Sequence, residues 1–85
     1  MDRKSGFGLL LQQKGMTGYE VSKATGYGTN AMYRLISGQQ SFWCLGLENA
    51  QRFADYLFDG DLNELVYQVK AYDLTLHENE DNIRG

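Results

Sequence analysis

Between Thr29 and Ser37 the chain carries side chains whose chemistry is that of recognition. Met32, Leu35 and Ile36 recur at i, i+3 and i+4, which turns Thr29, Asn30, Tyr33, Arg34 and Ser37 to the opposite face of a helix. On that face an asparagine amide can pair with adenine, and an arginine can read guanine or grip a phosphate. A threonine methyl can meet the methyl of thymine. Backbone amides near Gly28 and Thr29, at the start of such a helix, can donate to phosphate oxygens. Lys23 and Tyr19 upstream, with Gln39 and Gln40 just after Gly38, complete a candidate set for contact with double-stranded DNA.

Other chemistries find no support. Gly26-Tyr27-Gly28-Thr29-Asn30-Ala31 matches the G-x-G-x-x-A dinucleotide fingerprint, but an amphipathic helix precedes it and the chain has no room for a βαβ sheet. Asp59, Asp61 and Asn63 imitate the opening of a calcium loop. Glu64 stands where that loop needs glycine, and Lys70 where it needs a carboxylate. Cys44 and His77 have no companions at metal-ligand or catalytic spacing. The reading is of a protein without enzymatic activity, metal or cofactor.

The elements that must hold the recognition face read as five helices, an all-α fold. The first carries Phe7, Leu10 and Leu11 and stops at Gly15. The second opens on Thr17-Gly18-Tyr19-Glu20, a capping box, buries Val21, Ser22 and Thr25, and ends at Gly26. The third is Thr29 to Ser37, stopped by Gly38. A fourth over residues 47–57 should turn Leu47, Ala50, Phe53, Ala54 and Leu57 inward. A fifth, capped by Asp61 with Glu64 three residues on, should bury Leu62, Leu65, Val66 and Val69. Asp73-Leu74-Thr75-Leu76 fits either more helix or a short strand. One domain over 1–76 is expected, followed by an acidic, flexible tail at 77–85.

A chain of 85 residues makes one small domain, and its 42% hydrophobic content is enough for it to fold. Its single cysteine excludes an intramolecular disulfide, and the apolar run Leu9-Leu10-Leu11 is too short for a signal core or membrane span. A cytoplasmic setting is expected. The net charge of −3 conceals a polarity. Residues 1–43 hold five basic and two acidic side chains; residues 44–85 hold three basic and nine acidic. Such a chain presents a basic end to a polyanion and keeps its acidic end away.

Residues 18–38 resemble the helix-turn-helix of lambda-repressor-like (Cro/CI-type) proteins. The small residue Ser22, the turn glycine Gly26, and apolar Val21, Tyr27, Met32 and Leu35 stand where that pattern asks for them. The likeness extends over about residues 7–66 and implies a five-helix domain whose second and third helices form the motif. It implies that Gly28, Thr29, Asn30, Tyr33 and Arg34 face the DNA groove, in a repressor of phage or prokaryotic origin acting as a homodimer. Residues 66–76, with Val69, Tyr72, Leu74 and Leu76, are the candidate dimer surface. Two features depart from the pattern: Gly18 stands where many relatives carry glutamine, and the loop after Gly38 lacks basic residues. A protein-binding module of the same shape is the rival reading. It could be an anti-CRISPR-like inhibitor, suggested by residues 16–23 and Phe42-Trp43, or an antitoxin using its acidic tail.

Overall fold

The computed structural model describes the backbone of residues 5–84 and the side chains of residues 5–76. Five α-helices occur among the described residues, and no strand: α1 (Gly6–Gln13), α2 (Gly18–Thr25), α3 (Thr29–Ser37), α4 (Leu47–Phe58) and α5 (Leu62–Arg84). A single 3-10 turn, Phe42–Cys44, lies between α3 and α4.

Local chemistry fixes most of the boundaries. The Ser5 hydroxyl accepts from the Gly8 amide at 3.0 Å, Thr17 from Glu20 at 3.1 Å, and Asp61 from Glu64 at 3.0 Å. Each such cap is worth about 1 kcal/mol. The Glu20 carboxylate returns to the Thr17 hydroxyl at 3.3 Å. Gly26 and Gly38 end α2 and α3 at φ 78° and 88°, a left-handed geometry that a side chain resists.

Once formed, the helices bury one core. Phe7 and Phe53 lie at its centre with ring centroids 5.2 Å apart; Phe42 stacks on Phe7 at 5.3 Å and Tyr27 meets Phe53 edge-on at 5.2 Å. Leu11, Val21, Met32, Leu35, Ile36, Leu65 and Val69 fill the space around them with no solvent exposure. Each side chain of this size contributes about 1.5–3 kcal/mol on burial. Helix α1 lies between α3 and α5, α4 lies against α5 and α2, and α2 lies against α3.

Close approach of α1 depends on two glycines. A Cβ on Gly6 would come within 2.5 Å of the Val69 carbonyl oxygen, and one on Gly8 within 2.8 Å of the Ile36 carbonyl oxygen. The same corner is cross-linked by polar groups. The Ser5 hydroxyl lies 2.7 and 2.9 Å from the Leu35 and Ile36 carbonyls in the last turn of α3, where carbonyls run out of i+4 amide partners. Asp73 on α5 accepts from the Gly6 amide at 2.7 Å and from the Trp43 indole at 2.8 Å.

Two inward assignments and one dimer-surface assignment differ from expectation. Leu47 is 78% exposed, because it opens α4 one turn before that helix meets the core at Ala50. Val66 is also exposed: Leu65 and Val69 take the face toward α1 and α4, and Val66 falls beside it. Val69, expected in part to serve a dimer surface, is wholly buried in the core of the single chain and is not available to a partner. Residues 73–76 continue α5 as helix. Its backbone runs on to Arg84. The expectation of a flexible acidic tail at 77–85 falls on residues whose side chains lie outside those described.

Candidate nucleic-acid interface

The outward face of α3 is built from the core upward. Met32, Leu35 and Ile36 are fully buried, so the helix is held by one side while Thr29, Asn30 and Arg34 stand exposed on the other. Within Thr29–Ser37 there is a cation, Arg34, and no carboxylate. Tyr33 is half-buried. Its ring covers Gly18, where an added Cβ would lie 3.2 Å from the Tyr33 ring and 2.6 Å from the end of Ile36. A larger residue at Gly18 would displace the end of the buried Ile36 side chain and crowd Tyr33 and Met32, which favours the glycine there.

The N-terminus of α3 is bare. Gly28 occupies the cap position at φ −58° and ψ 140°, and no side chain caps the helix. Nothing lies within 4 Å of where a Gly28 Cβ would stand. The amides of the first turn therefore have no helical partner, and they carry the positive end of the helix dipole. An anion reaching this end would meet backbone N–H groups with no side chain in the way.

Helix α2 enters the same region through a short turn. Gly26 closes α2 by donating its amide to the Ser22 carbonyl at 2.9 Å. The Ser22 hydroxyl, buried to 5% exposure, reaches the Tyr27 carbonyl at 2.5 Å and the Thr29 hydroxyl at 3.1 Å. Thr25 is satisfied within the turn: its hydroxyl donates to the Val21 carbonyl at 2.7 Å and accepts from the Tyr27 amide at 3.4 Å. The polar residues Ser22 and Thr25 thus hold the turn in place of apolar contacts.

The candidate residues separate into two groups. Tyr33, Arg34 and Gln39 come together with Ser37 around a shallow hollow of about 220 Å³ at the C-terminal half of α3. Thr29 and Asn30 lie at the other end of the helix, beside Gly28. Lys23 and Tyr19 are exposed on α2, with the ammonium 5.4 Å from the centre of the tyrosine ring. Gln40 is turned away from the solvent face: it is half-buried, and its side-chain amide donates to the Tyr27 hydroxyl at 3.3 Å. Lys14 lies with its ammonium 4.4 Å from the centre of the Phe58 ring, at the far end of α4.

No family model, curated protein or solved structure matches the chain. The geometry therefore carries the reading by itself. Among the described residues there is no group of three or more histidine, cysteine or acidic side chains placed to hold a metal ion. No helix among them is long and apolar enough to cross a membrane.

Two contributors escaped the sequence reading. Ser5 and Asp73 fasten α3 and the Trp43 turn to the rest of the fold without touching the candidate face. Ser5 carried a legible signal, a serine directly ahead of an apolar helix. Asp73 carried none, since a carboxylate late in a long helix reads as solvated surface until its distant partners are known.

Proposed function

We propose that this chain is a sequence-specific DNA-binding regulator, a repressor of lambda-repressor-like architecture that lays α3 in the major groove and acts as a homodimer. One observation carries the reading. Helix α3 is locked into the core by one face, while the other offers Thr29, Asn30 and Arg34 to solvent beside an uncapped N-terminus. A helix is about 10–12 Å across with its side chains, and the major groove is about 12 Å wide. Phosphates would meet the amides at Gly28 and Thr29, with Lys23 flanking them. Base edges would meet Asn30 and Arg34. The excess of acidic residues in the second half of the chain would set the orientation of approach.

A salt titration tests it. Each phosphate neutralised steepens the dependence of log affinity on log salt by about 0.9. Lys23 and Arg34 alone give a slope of about −2 per chain, and each further cation adds about one. The Lys23→Ala, Arg34→Ala double variant should flatten the slope by about two while circular dichroism stays unchanged. Duplexes selected from a random pool supply the DNA. A slope near zero, or one the double variant does not move, rejects the reading.

A second reading rests on a different surface. Trp43, Val66 and Leu74 are exposed and line a groove of about 400 Å³ with Lys70 and Asp73. Exposed apolar side chains grouped in this way favour a protein partner. An inhibitor of a protein complex, or an antitoxin, would use this face, and its binding would be nearly independent of α3.

A further inference from the structure

We propose that Ser22 is a specificity-determining positioning residue: it accepts the hydrogen bond that the Thr29 hydroxyl has to give and so prevents Thr29 from donating to a base. The argument is a count of protons. A serine hydroxyl has one proton to give. The Ser22 oxygen lies 2.5 Å from the Tyr27 carbonyl oxygen, which can only accept, so the proton is spent there. The 3.1 Å contact between the Ser22 and Thr29 hydroxyls then needs its proton from Thr29. Ser22 is buried and cannot turn to water for an alternative. The direction of both bonds follows: Thr29 donates to Ser22, and Ser22 donates to Tyr27.

This inference rests on the DNA-binding reading and sharpens it. With its proton engaged, exposed Thr29 can offer a base edge only a methyl group and oxygen lone pairs. The methyl suits thymine, and the lone pairs suit the amino groups of adenine or cytosine. Guanine presents only acceptors, N7 and O6, in the major groove, so it gains nothing from such a side chain. The pair of hydroxyls therefore excludes guanine at the base that Thr29 meets. Alanine in place of Ser22 would free the Thr29 hydroxyl to rotate and donate.

The test has one arm without DNA and one with it. In the free chain, the exchange of the Thr29 hydroxyl proton with water, followed by NMR, reports whether that proton is held. Slow exchange is expected in the parent protein and fast exchange in Ser22→Ala; fast exchange in the parent, or no change in the variant, overturns the proposal. In the second arm, duplexes are selected from a random pool by the parent, Ser22→Ala, Thr29→Val and Ser22→Ala/Thr29→Val. The parent should deplete guanine at one position per half-site. Ser22→Ala should recover guanine there by about three- to tenfold, the worth of one hydrogen bond. Thr29→Val and the double variant, lacking the hydroxyl, should exclude guanine as the parent does. That pattern separates a lost hydrogen-bond acceptor from a merely loosened turn. Identical selection by the parent and Ser22→Ala overturns the proposal while leaving DNA binding intact. Failure of every variant to select any duplex, with the Thr29 hydroxyl proton held in the parent, overturns the specificity role together with the DNA-binding reading.

Discussion

Asp73 shows how one side chain can join three parts of a small fold. Its carboxylate accepts from the first amide of α1 and from the indole of Trp43, so α5, α1 and the turn after α3 meet on a single group. Hydrogen bonds to a charged acceptor are worth about 1.5–3 kcal/mol each when made, and a donor left without its partner costs about 1–3 kcal/mol. Asp73 is half-buried, which places its removal at the lower end. We expect Asp73→Ala to lower the stability by about 2 kcal/mol in urea denaturation. The emission of Trp43, the single tryptophan, should change with it. Leu47→Lys is the contrasting case: the side chain is 78% exposed, so the change should stay within about 0.5 kcal/mol. A large loss at Leu47 would return that residue to the core, where its spacing alone had put it.

The position of α1 is set by contacts that admit no side chain. Gly6 faces the backbone of α5 and Gly8 faces the backbone of α3, so α1 spaces the two helices that meet it. Alanine is normally the better helix former by about 1 kcal/mol. At Gly6 that gain is outweighed, because besides the Asp73 carboxylate an added Cβ would meet the Val69 carbonyl oxygen and the Asp73 amide nitrogen, backbone atoms of α5 that cannot rotate aside. Gly6→Ala should therefore destabilise by about 1–3 kcal/mol, read as a shift of the urea midpoint at unchanged slope. If the variant instead proved more stable, α1 could not lie as close to α5 as it does. The same geometry bears on the candidate interface, since Ser5, one residue earlier, holds the last carbonyls of α3.

At the scale of the whole molecule, assembly is the open consequence. Val69 is spent on the core, and Tyr72 packs partly against it, so a homodimer built on α5 must use the residues beside them. Val66, Leu74 and Trp43 are those residues, and they form one continuous groove. If two copies join there, Leu74→Glu should convert a dimer into a monomer without loss of helix, because Leu74 is 55% exposed in the single chain. Sedimentation equilibrium of the two proteins at equal concentration checks this. A parent chain that sediments as a monomer at high micromolar concentration would exclude the homodimer.

The sequence by itself determined what depends on near neighbours. Caps at Thr17 and Asp61, stops at Gly15, Gly26 and Gly38, and the 3.6-residue spacing of Met32, Leu35 and Ile36 mark helix boundaries because those signals act within a few residues. The exposed face of α3 was legible for the same reason: burying one stripe of a helix turns the other outward. What only the tertiary structure decided are the relations between residues far apart in the chain. Spacing made Leu47 and Val66 equivalent to their buried neighbours, and packing of α4 and α5 left them in solvent. Gly6 and Gly8 carried no signal until α5 and α3 came against them. Gln40 looked free until Tyr27, thirteen residues earlier, supplied an acceptor within reach. The direction of the Ser22–Thr29 bond depends likewise on a carbonyl that the turn brings back over α2. Periodicity tells which side of a helix is apolar; which neighbour covers that side, and how far, is fixed only when the helices meet.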